Sequence, residues 1–439
     1  MQQLDIQAKR ERIQRFEPYP VTGRVTRIGS GEIIADGPDI SVGTLCDVTP
    51  DPPTELPVKA LAAAVSTDRV ALIPMGNVER LKIGNVVRAL PDGGAFPVGD
   101  GFAGRAINAL ANPIDGLGPA VAQWDQPKRL EVLDRVAPSS VFATGVRAID
   151  GLLTVGVGQR VGILAASGVG KTRLINQILR RAGSERIVIC LVGERGREVE
   201  ELWRSLAETG DQGRCTVVAA TSDETAPMRA RVIEQGLALA EHWRQRGEDV
   251  LLVVDSITRL AMALREIGLI AGEPPTARAY TPNVFRALPQ IVERCGAARG
   301  GGSITAIFTV LCETDDADDP LVETMKSLLD GHIVLSRDLA QAGHFPAIDI
   351  GRSISRLFDS LVDRPHRDAA RLFRARIAKY EQSGILIESG LYKPGADPDL
   401  DLAIAQRGAI NGFLQQSDEE RANLETARSA LIAAVGGHG

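Results

Sequence analysis

Eight consecutive residues, Ala165, Ala166, Ser167, Gly168, Val169, Gly170, Lys171 and Thr172, have the types and spacing that bind phosphate. Gly168 and Gly170 let the backbone curl so that successive N–H groups face inward on phosphate oxygens, and the N-terminus of a following helix adds its positive dipole end. Lys171 is placed to reach the outer phosphates of a nucleotide, and Thr172 to ligate Mg²⁺. The strict pattern G-x-x-x-x-G-K-[ST] is missed at one position, where Ala165 stands in place of the first glycine. The apolar run Val161-Gly162-Ile163-Leu164 precedes the loop, and Leu174, Ile175, Ile178 and Leu179 follow it at helical spacing, so the loop joins a strand to a helix.

A phosphate cradle binds but does not hydrolyse; hydrolysis also needs a carboxylate on the metal side and a group that positions water. Two further apolar, β-branched runs end in acids. Val250-Leu251-Leu252-Val253-Val254 runs into Asp255, and Ile187-Val188-Ile189-Cys190-Leu191-Val192-Gly193 runs into Glu194 and Arg195. Buried parallel strands deliver carboxylates to the carboxyl edge of a sheet in this way. Asp255 is read as the residue that holds Mg²⁺ through water, and Glu194 as the one that orients or polarises the attacking water. Either acid could instead cap the helix that follows its strand.

These elements sit in a chain of 439 residues with 44% hydrophobic and 4% aromatic content, enough for a large core and two or three domains. No apolar stretch has the length of a bilayer span, and Met1-Gln2-Gln3-Leu4-Asp5 lacks a signal pattern, so the expected place of work is the cytoplasm. The five cysteines and five histidines are scattered, with no C-x-x-C spacing and no mixed cluster that suggests a transition-metal site. A formal charge of −6 argues against a general polyanion binder.

Residues 1–18 form a loosely amphipathic basic segment stopped by Pro18, residues 19–90 carry short β-branched runs separated by glycine and proline, and residues 91–138 are connecting structure. No aromatic lies between Tyr19 and Phe96, which disfavours a nucleic-acid-binding barrel and favours a packing role. From there to residue 360 strands alternate with helices, the pattern of a doubly wound parallel sheet, and residues 361–439 are helix-rich. In the Pro227 helix, Val232, Gly236, Leu239 and Trp243 share a face, which puts Trp243 in the core. Residues 313–319 read as a solvated acidic turn, and 417–434 have the polarity of an exposed helix. The predicted class is α/β: an N-terminal β-barrel, a central RecA-like sheet with a P-loop, and a C-terminal helical domain.

Several longer stretches carry a resemblance. Gly193-Glu194-Arg195-Gly196-Arg197-Glu198, Asp255-Ser256-Ile257-Thr258-Arg259, Gly272-Glu273-Pro274-Pro275 and Ser353-Ile354-Ser355-Arg356 resemble the rotary-type ATPase family. Residues 144–154 and Leu329-Asp330-Gly331-His332-Ile333-Val334-Leu335-Ser336-Arg337 are similar to the type III protein-export ATPases, with Ser167-Gly168-Val169-Gly170-Lys171 closest to the flagellar branch. The resemblance implies an ATPase that uses ATP and Mg²⁺, with Lys171, Glu194 and Arg195 catalytic and Arg356 as an arginine finger supplied to a neighbouring subunit. One chain type bearing both loop and finger implies a homo-oligomeric ring, a hexamer. The alternative partner for Arg356 is Asp359, on the same surface.

The resemblance also implies a regulatory, stator-like partner at the N-terminal helix, a barrel collar that holds the ring, and a central stalk in the pore beside Gly272-Glu273-Pro274-Pro275. Export substrates, their chaperones and an export gate at the inner face of the cytoplasmic membrane complete the expected set, with no nucleic acid. An injectisome ATPase is the alternative within the family. A hexameric RNA translocase and a non-catalytic ring subunit are weaker readings, the second opposed by Lys171, Glu194 and Asp255. No aromatic after Arg356 matches the adenine-stacking tyrosine of rotary ATP synthases.

Overall fold

A computed structural model describes residues 22–29, 31–51, 56–90, 95–125, 130–312 and 319–436. The basic segment at 1–18 and the acidic residues 313–318 lie outside them. The described residues form two compact units, one made of those up to Ala95 with Glu224–Pro227 and Glu266–Pro274, the other of the remainder.

In the first unit six antiparallel strands, β1 (Thr22–Ile28), β2 (Ile33–Ala35), β3 (Leu45–Thr49), β4 (Val58–Ser66), β5 (Arg69–Pro74) and β6 (Val86–Ala89), close into a barrel in the order β1-β2-β5-β4-β3-β6. Closure leaves no unpaired strand edge. Val25, Ile33, Val48, Val70, Leu72 and Val87 fill the interior together with Ala35, Ala60 and Ala62. Strand β4 carries four alanines, poor strand formers, and so gives no strong strand signal in the sequence.

The second unit is built on a sheet of β7 (Ala106–Asn108), β8 (Arg160–Ala165), β9 (Arg186–Glu194), β10 (Cys215–Thr221), β11 (Asp249–Asp255), β12 (Ser303–Leu311), β13 (Gly331–Leu335) and β14 (Ile348–Ser355). Their spatial order is β14-β13-β8-β12-β11-β9-β10-β7, with two short strands, Arg135–Val136 and Gly296–Ala298, attached beside β12. All neighbours along the main path run parallel except β13 and β14. The carboxyl ends of β8, β9 and β11 therefore lie along one edge, and β8 is separated from β9 by two strands, which opens the crevice that doubly wound sheets offer to ligands.

Both faces of this sheet are covered. On one, Ile163, Ile189 and Val253 belong to a core with Leu174 and Ile178 of the Lys171–Leu179 helix and Leu202 of the Gly196–Thr209 helix. On the other, the Ala226–Gln245 helix brings Gly236 so close to β9 that a Cβ there would lie 2.2 Å from the Cys190 sulfur. Trp243 of this helix is fully buried, and its Nε1 donates to Asp100 Oδ1 at 3.1 Å. Asp150 explains the Thr144–Thr154 stretch: its carboxylate accepts from the Thr144 N–H and hydroxyl and from the Gly145 N–H, closing the turn into the Arg147–Leu152 helix.

Helices Arg364–Gln382, Gly384–Glu388, Pro398–Leu414 and Leu424–Gly436 end the chain. The expectation of an exposed helix over 417–434 is corrected. Helix begins only at Leu424, and Ala427, Leu431 and Ala434, at i, i+4 and i+7, are buried in the core shared with the Arg147–Leu152 and Arg364–Gln382 helices. Averaging polarity over the stretch concealed a narrow apolar stripe.

The Gly236–Cys190 approach sets a measurable expectation. Gly236→Ala should lower stability by about 1–3 kcal/mol through overpacking, read from the urea midpoint, and Cys190→Ala on that background should recover part of the loss. A Gly236→Ala protein as stable as the parent would show that helix and strand stand farther apart.

Candidate active site

The loop between β8 and the Lys171–Leu179 helix has the conformation its glycines permit. Gly168 and Gly170 have φ of 80° and 90°, in the left-handed region, and Gly170 is the N-cap residue of the helix. A Cβ on Gly170 would also lie 3.3 Å from the Phe345 ring. Ala165 needs no such freedom. It is the last residue of β8, buried, and paired in register with Leu311 and Leu335. A side chain is accommodated at this position because Ala165 has ordinary strand pairing on both sides. Ser167, Gly168 and Thr172 are exposed, Ala166 and Lys171 half-buried, and Val169 is packed inward.

Below the loop the strand ends bring three ionisable groups together. The Lys171 ammonium is bonded to Asp255 Oδ1 and lies 3.9 Å from Glu194 Oε1. Asp255 Oδ1 also accepts from the Thr309 hydroxyl at 2.7 Å, from the central strand β12. Glu194 Oε2 lies 3.0 Å from Nη2 of Arg259, whose Nη1 donates to the Gly193 carbonyl. Arg195, not Glu194, is the N-cap residue of the Gly196–Thr209 helix and makes no side-chain capping bond, and Ser256, not Asp255, precedes the Ile257–Ile270 helix, its hydroxyl accepting the Arg259 N–H at 3.4 Å.

Glu194 is 5% exposed. Burial pushes its carboxyl from an ordinary value near 4.5 up to about 7; a hydrogen bond with Glu198 and the charge of Asp255 push the same way, while Lys171 and Arg259 oppose them. Thr172, Glu194, Glu198 and Asp255 border one side of a cavity of about 30 Å³ whose other walls are mainly aliphatic, from Ile175, Ile189, Leu191, Leu202 and Val253. The arrangement can hold phosphate oxygens on the loop, a cation at Asp255 and Thr172, and a polarised water at Glu194.

Two residues from the sequence reading lie away from this cluster. The Arg195 side chain is exposed, 4.0 Å from Glu198 Oε1. Arg356 follows β14, whose Ser355 pairs with Gly331 at the start of β13, whereas Ala165 pairs with Leu335 at its end. The length of β13 therefore separates Arg356 from the phosphate loop, about 13 Å for four steps along a strand. Arg356 is exposed, and its Nη2 donates to the Lys326 carbonyl at 3.1 Å. Asp359, its alternative partner, is instead 3.4 Å from Arg367 Nε.

Sequence reasoning missed three neighbours of the site. Arg259 stands four residues after Asp255, one helical turn beyond the strand end, and that spacing could have flagged it. Thr309 gave no signal, because its proximity is a matter of strand order. Phe345, half-buried against Gly170 with the Arg173 guanidinium 5.0 Å from its ring centroid, precedes Arg356 and so escaped a search of the residues after it.

Folding raises the Glu194 pKa, so the ionised carboxylate is the form that folding disfavours. That cost is absent below about pH 4.5, grows between there and about pH 7, and is complete above. Glu194→Gln should accordingly stabilise the protein by on the order of 1–3 kcal/mol near pH 8 and leave it unchanged near pH 4, by chemical denaturation. A difference independent of pH would mean that the carboxyl ionises as freely in the folded chain as in the unfolded one.

Comparison with known proteins agrees with this geometry. Residues 145–355 match the ATP synthase alpha/beta family, nucleotide-binding domain, and residues 362–433 match the T3SS EscN ATPase C-terminal domain. The chain is 39% identical over 432 residues to the flagellum-specific ATP synthase of Bacillus subtilis (strain 168), with 97% of each chain covered. It is 42% identical over 416 residues to the type 3 secretion system ATPase of Sinorhizobium fredii, covering 94% of this chain and 92% of that one. The assembled ATPase EscN of the enteropathogenic E. coli type III secretion system matches with a TM-score of 0.89 at 38% identity, over 94% of this chain and 100% of that one. EscN in complex with its central stalk EscO matches at 0.86. With about 40% identity to these relatives along nearly the whole length and both family models matched, the chain belongs to the flagellar and type III secretion ATPases of the ATP synthase alpha/beta family.

Proposed function

We propose that this chain hydrolyses Mg-ATP as one subunit of a homohexameric ring, and that the ring drives release and export of substrates at a type III export gate, the flagellar one by its Ser167–Lys171 loop. In this reading the loop N–H groups and Lys171 hold the outer phosphates. Thr172 and, through water, Asp255 hold the Mg²⁺ that enters with ATP and would neutralise charge on the phosphate oxygens. The fit rests on Thr172 and Asp255 bordering one cavity, with Thr309 orienting the carboxylate. Phe345 offers an aromatic face for the base.

Glu194, steadied by Arg259, orients a water for in-line attack. The bond from water oxygen to the γ-phosphorus forms as the bond to the ADP oxygen breaks, and Glu194 takes up a water proton. Arg356 of the neighbouring subunit stabilises charge on the transferring group. Arg195, exposed beside Glu198, is assigned to the subunit boundary and not to the water. The barrel is assigned to the ring collar, and the bore to a central stalk. The N-terminal segment is given to a stator-like regulator, and the place of work to the cytoplasmic side of the membrane.

The observation that carries the ring reading is the separation of Arg356 from Lys171 by the length of β13. Neither residue reaches the other's site within one chain, so a working Arg356 serves a different copy. The test is ATP turnover with Mg²⁺ against protein concentration, for the parent, Glu194→Gln and Arg356→Ala. Specific activity should rise with concentration, and Arg356→Ala should lose about 10³-fold in turnover while still binding ATP. Turnover that is flat with concentration and indifferent to Arg356 would falsify the shared site.

A further inference from the structure

The Asp330-Gly331 pair takes no part in the chemistry proposed above, yet it stands at the sheet edge from which Arg356 leaves. The Asp330 carboxylate accepts three hydrogen bonds from Arg160: from the backbone N–H at 3.1 Å and Nε at 3.0 Å on Oδ2, and from Nη2 at 3.1 Å on Oδ1. Such a two-oxygen grip on a guanidinium fixes direction as well as distance. The Asp330 carbonyl accepts the Arg356 N–H at 2.9 Å, and the Asp330 N–H donates to the Arg160 carbonyl at 2.9 Å.

Buried Gln159 ties the same corner from within. Its Nε2 donates to the Asp330 carbonyl at 3.3 Å and to the Ser355 hydroxyl at 3.2 Å, and Ser355 donates to the Thr154 carbonyl at 2.8 Å. Gly331 lets the strands close: a Cβ there would lie 2.5 Å from the Ile354 carbonyl oxygen and 3.0 Å from Ser355 Cα. Arg160 is held on its far side by Glu293, 2.8 Å from Nη1. Arg356 is thus fastened at its backbone by Asp330 and at its guanidinium by the Lys326 carbonyl, and the first anchor is set by the Asp330–Arg160 grip.

We propose that Asp330 is a positioning residue for the reaction at the neighbouring subunit: clamped on Arg160, it holds the end of β14 so that Arg356 is aimed across the subunit boundary. The inference rests on the reading of Arg356 as a residue donated in trans. A misplacement of about 1 Å in a transition-state group can cost about 10²-fold in rate. Asp330→Ala frees the strand end and should lower kcat by about 10–100-fold. KM for Mg-ATP and the affinity for a fluorescent ATP analogue should stay within about twofold, because the chain's own phosphate loop lies at the other edge of the sheet.

Subunit mixing separates positioning from damage. Asp330→Ala subunits keep a sound loop and lack an aimed arginine; Lys171→Ala subunits lack the loop function and keep the arginine. Mixed rings contain boundaries that pair the sound halves, so turnover should reappear, to the extent seen when Arg356→Ala is mixed with Lys171→Ala. Recovery with Arg356→Ala but none with Asp330→Ala would overturn the inference, placing the defect in the Asp330 subunit's own site. Recovery in neither mixture would remove the trans reading and this inference with it. Should Asp330→Ala fail to fold, Asp330→Asn keeps one acceptor oxygen for Arg160, and the same mixtures decide the matter with a smaller loss.

Discussion

Two carboxylates, Glu194 and Asp255, are held almost out of water beneath the phosphate loop with Lys171 between them, and the rest of the second unit is arranged to make that possible. Like charges at this depth repel, and removing them from water costs still more. Lys171, Arg259 and the Thr309 hydroxyl offset part of the cost for the ionised forms. The remainder is visible in Glu194, whose carboxyl is raised into the neutral range. A carboxyl raised by burial and a neighbouring like charge is a common feature of functional sites.

What holds the acids there is the parallel sheet. Each sits at the carboxyl end of a strand whose residues are buried on both faces, so neither can retreat to solvent without moving its strand. The helices that cover the sheet leave little slack: Gly236 meets Cys190 at a distance that excludes even a methyl group. Rigidity of this sort suits a site that acts by placing charge rather than by forming covalent bonds to the protein.

The sheet also has a second working edge. Strand β13 starts at Asp330-Gly331, beside the departure point of Arg356, and ends at Leu335, paired with the last residue before the phosphate loop. One short strand therefore lies between the phosphate loop and the departure point of Arg356. Under the proposed ring reading, that strand would connect a subunit's own nucleotide site to the arginine it offers its neighbour through a rigid element and not a flexible loop.

By itself the sequence determined the local patterns: a Gly-Lys-Thr turn after an apolar run, and acids at the ends of two more, are legible because strand–loop–helix geometry is local. It also determined the alternation of strands and helices that implies a doubly wound sheet. Only the tertiary structure decided what meets what. Thr309 and Arg259 reach the acids because β12 lies beside β11 and because one helical turn after Asp255 points back over β9, facts of strand order and helix phase that residue types do not carry. Phe345 comes to Gly170 from a point 175 residues further along the chain, and the stripe Ala427, Leu431, Ala434 acquired a core only once three other helices supplied the other side. Local pattern sets what an element is; which of its faces is buried, and against which partner, is set by packing energies summed over residues far apart in the chain.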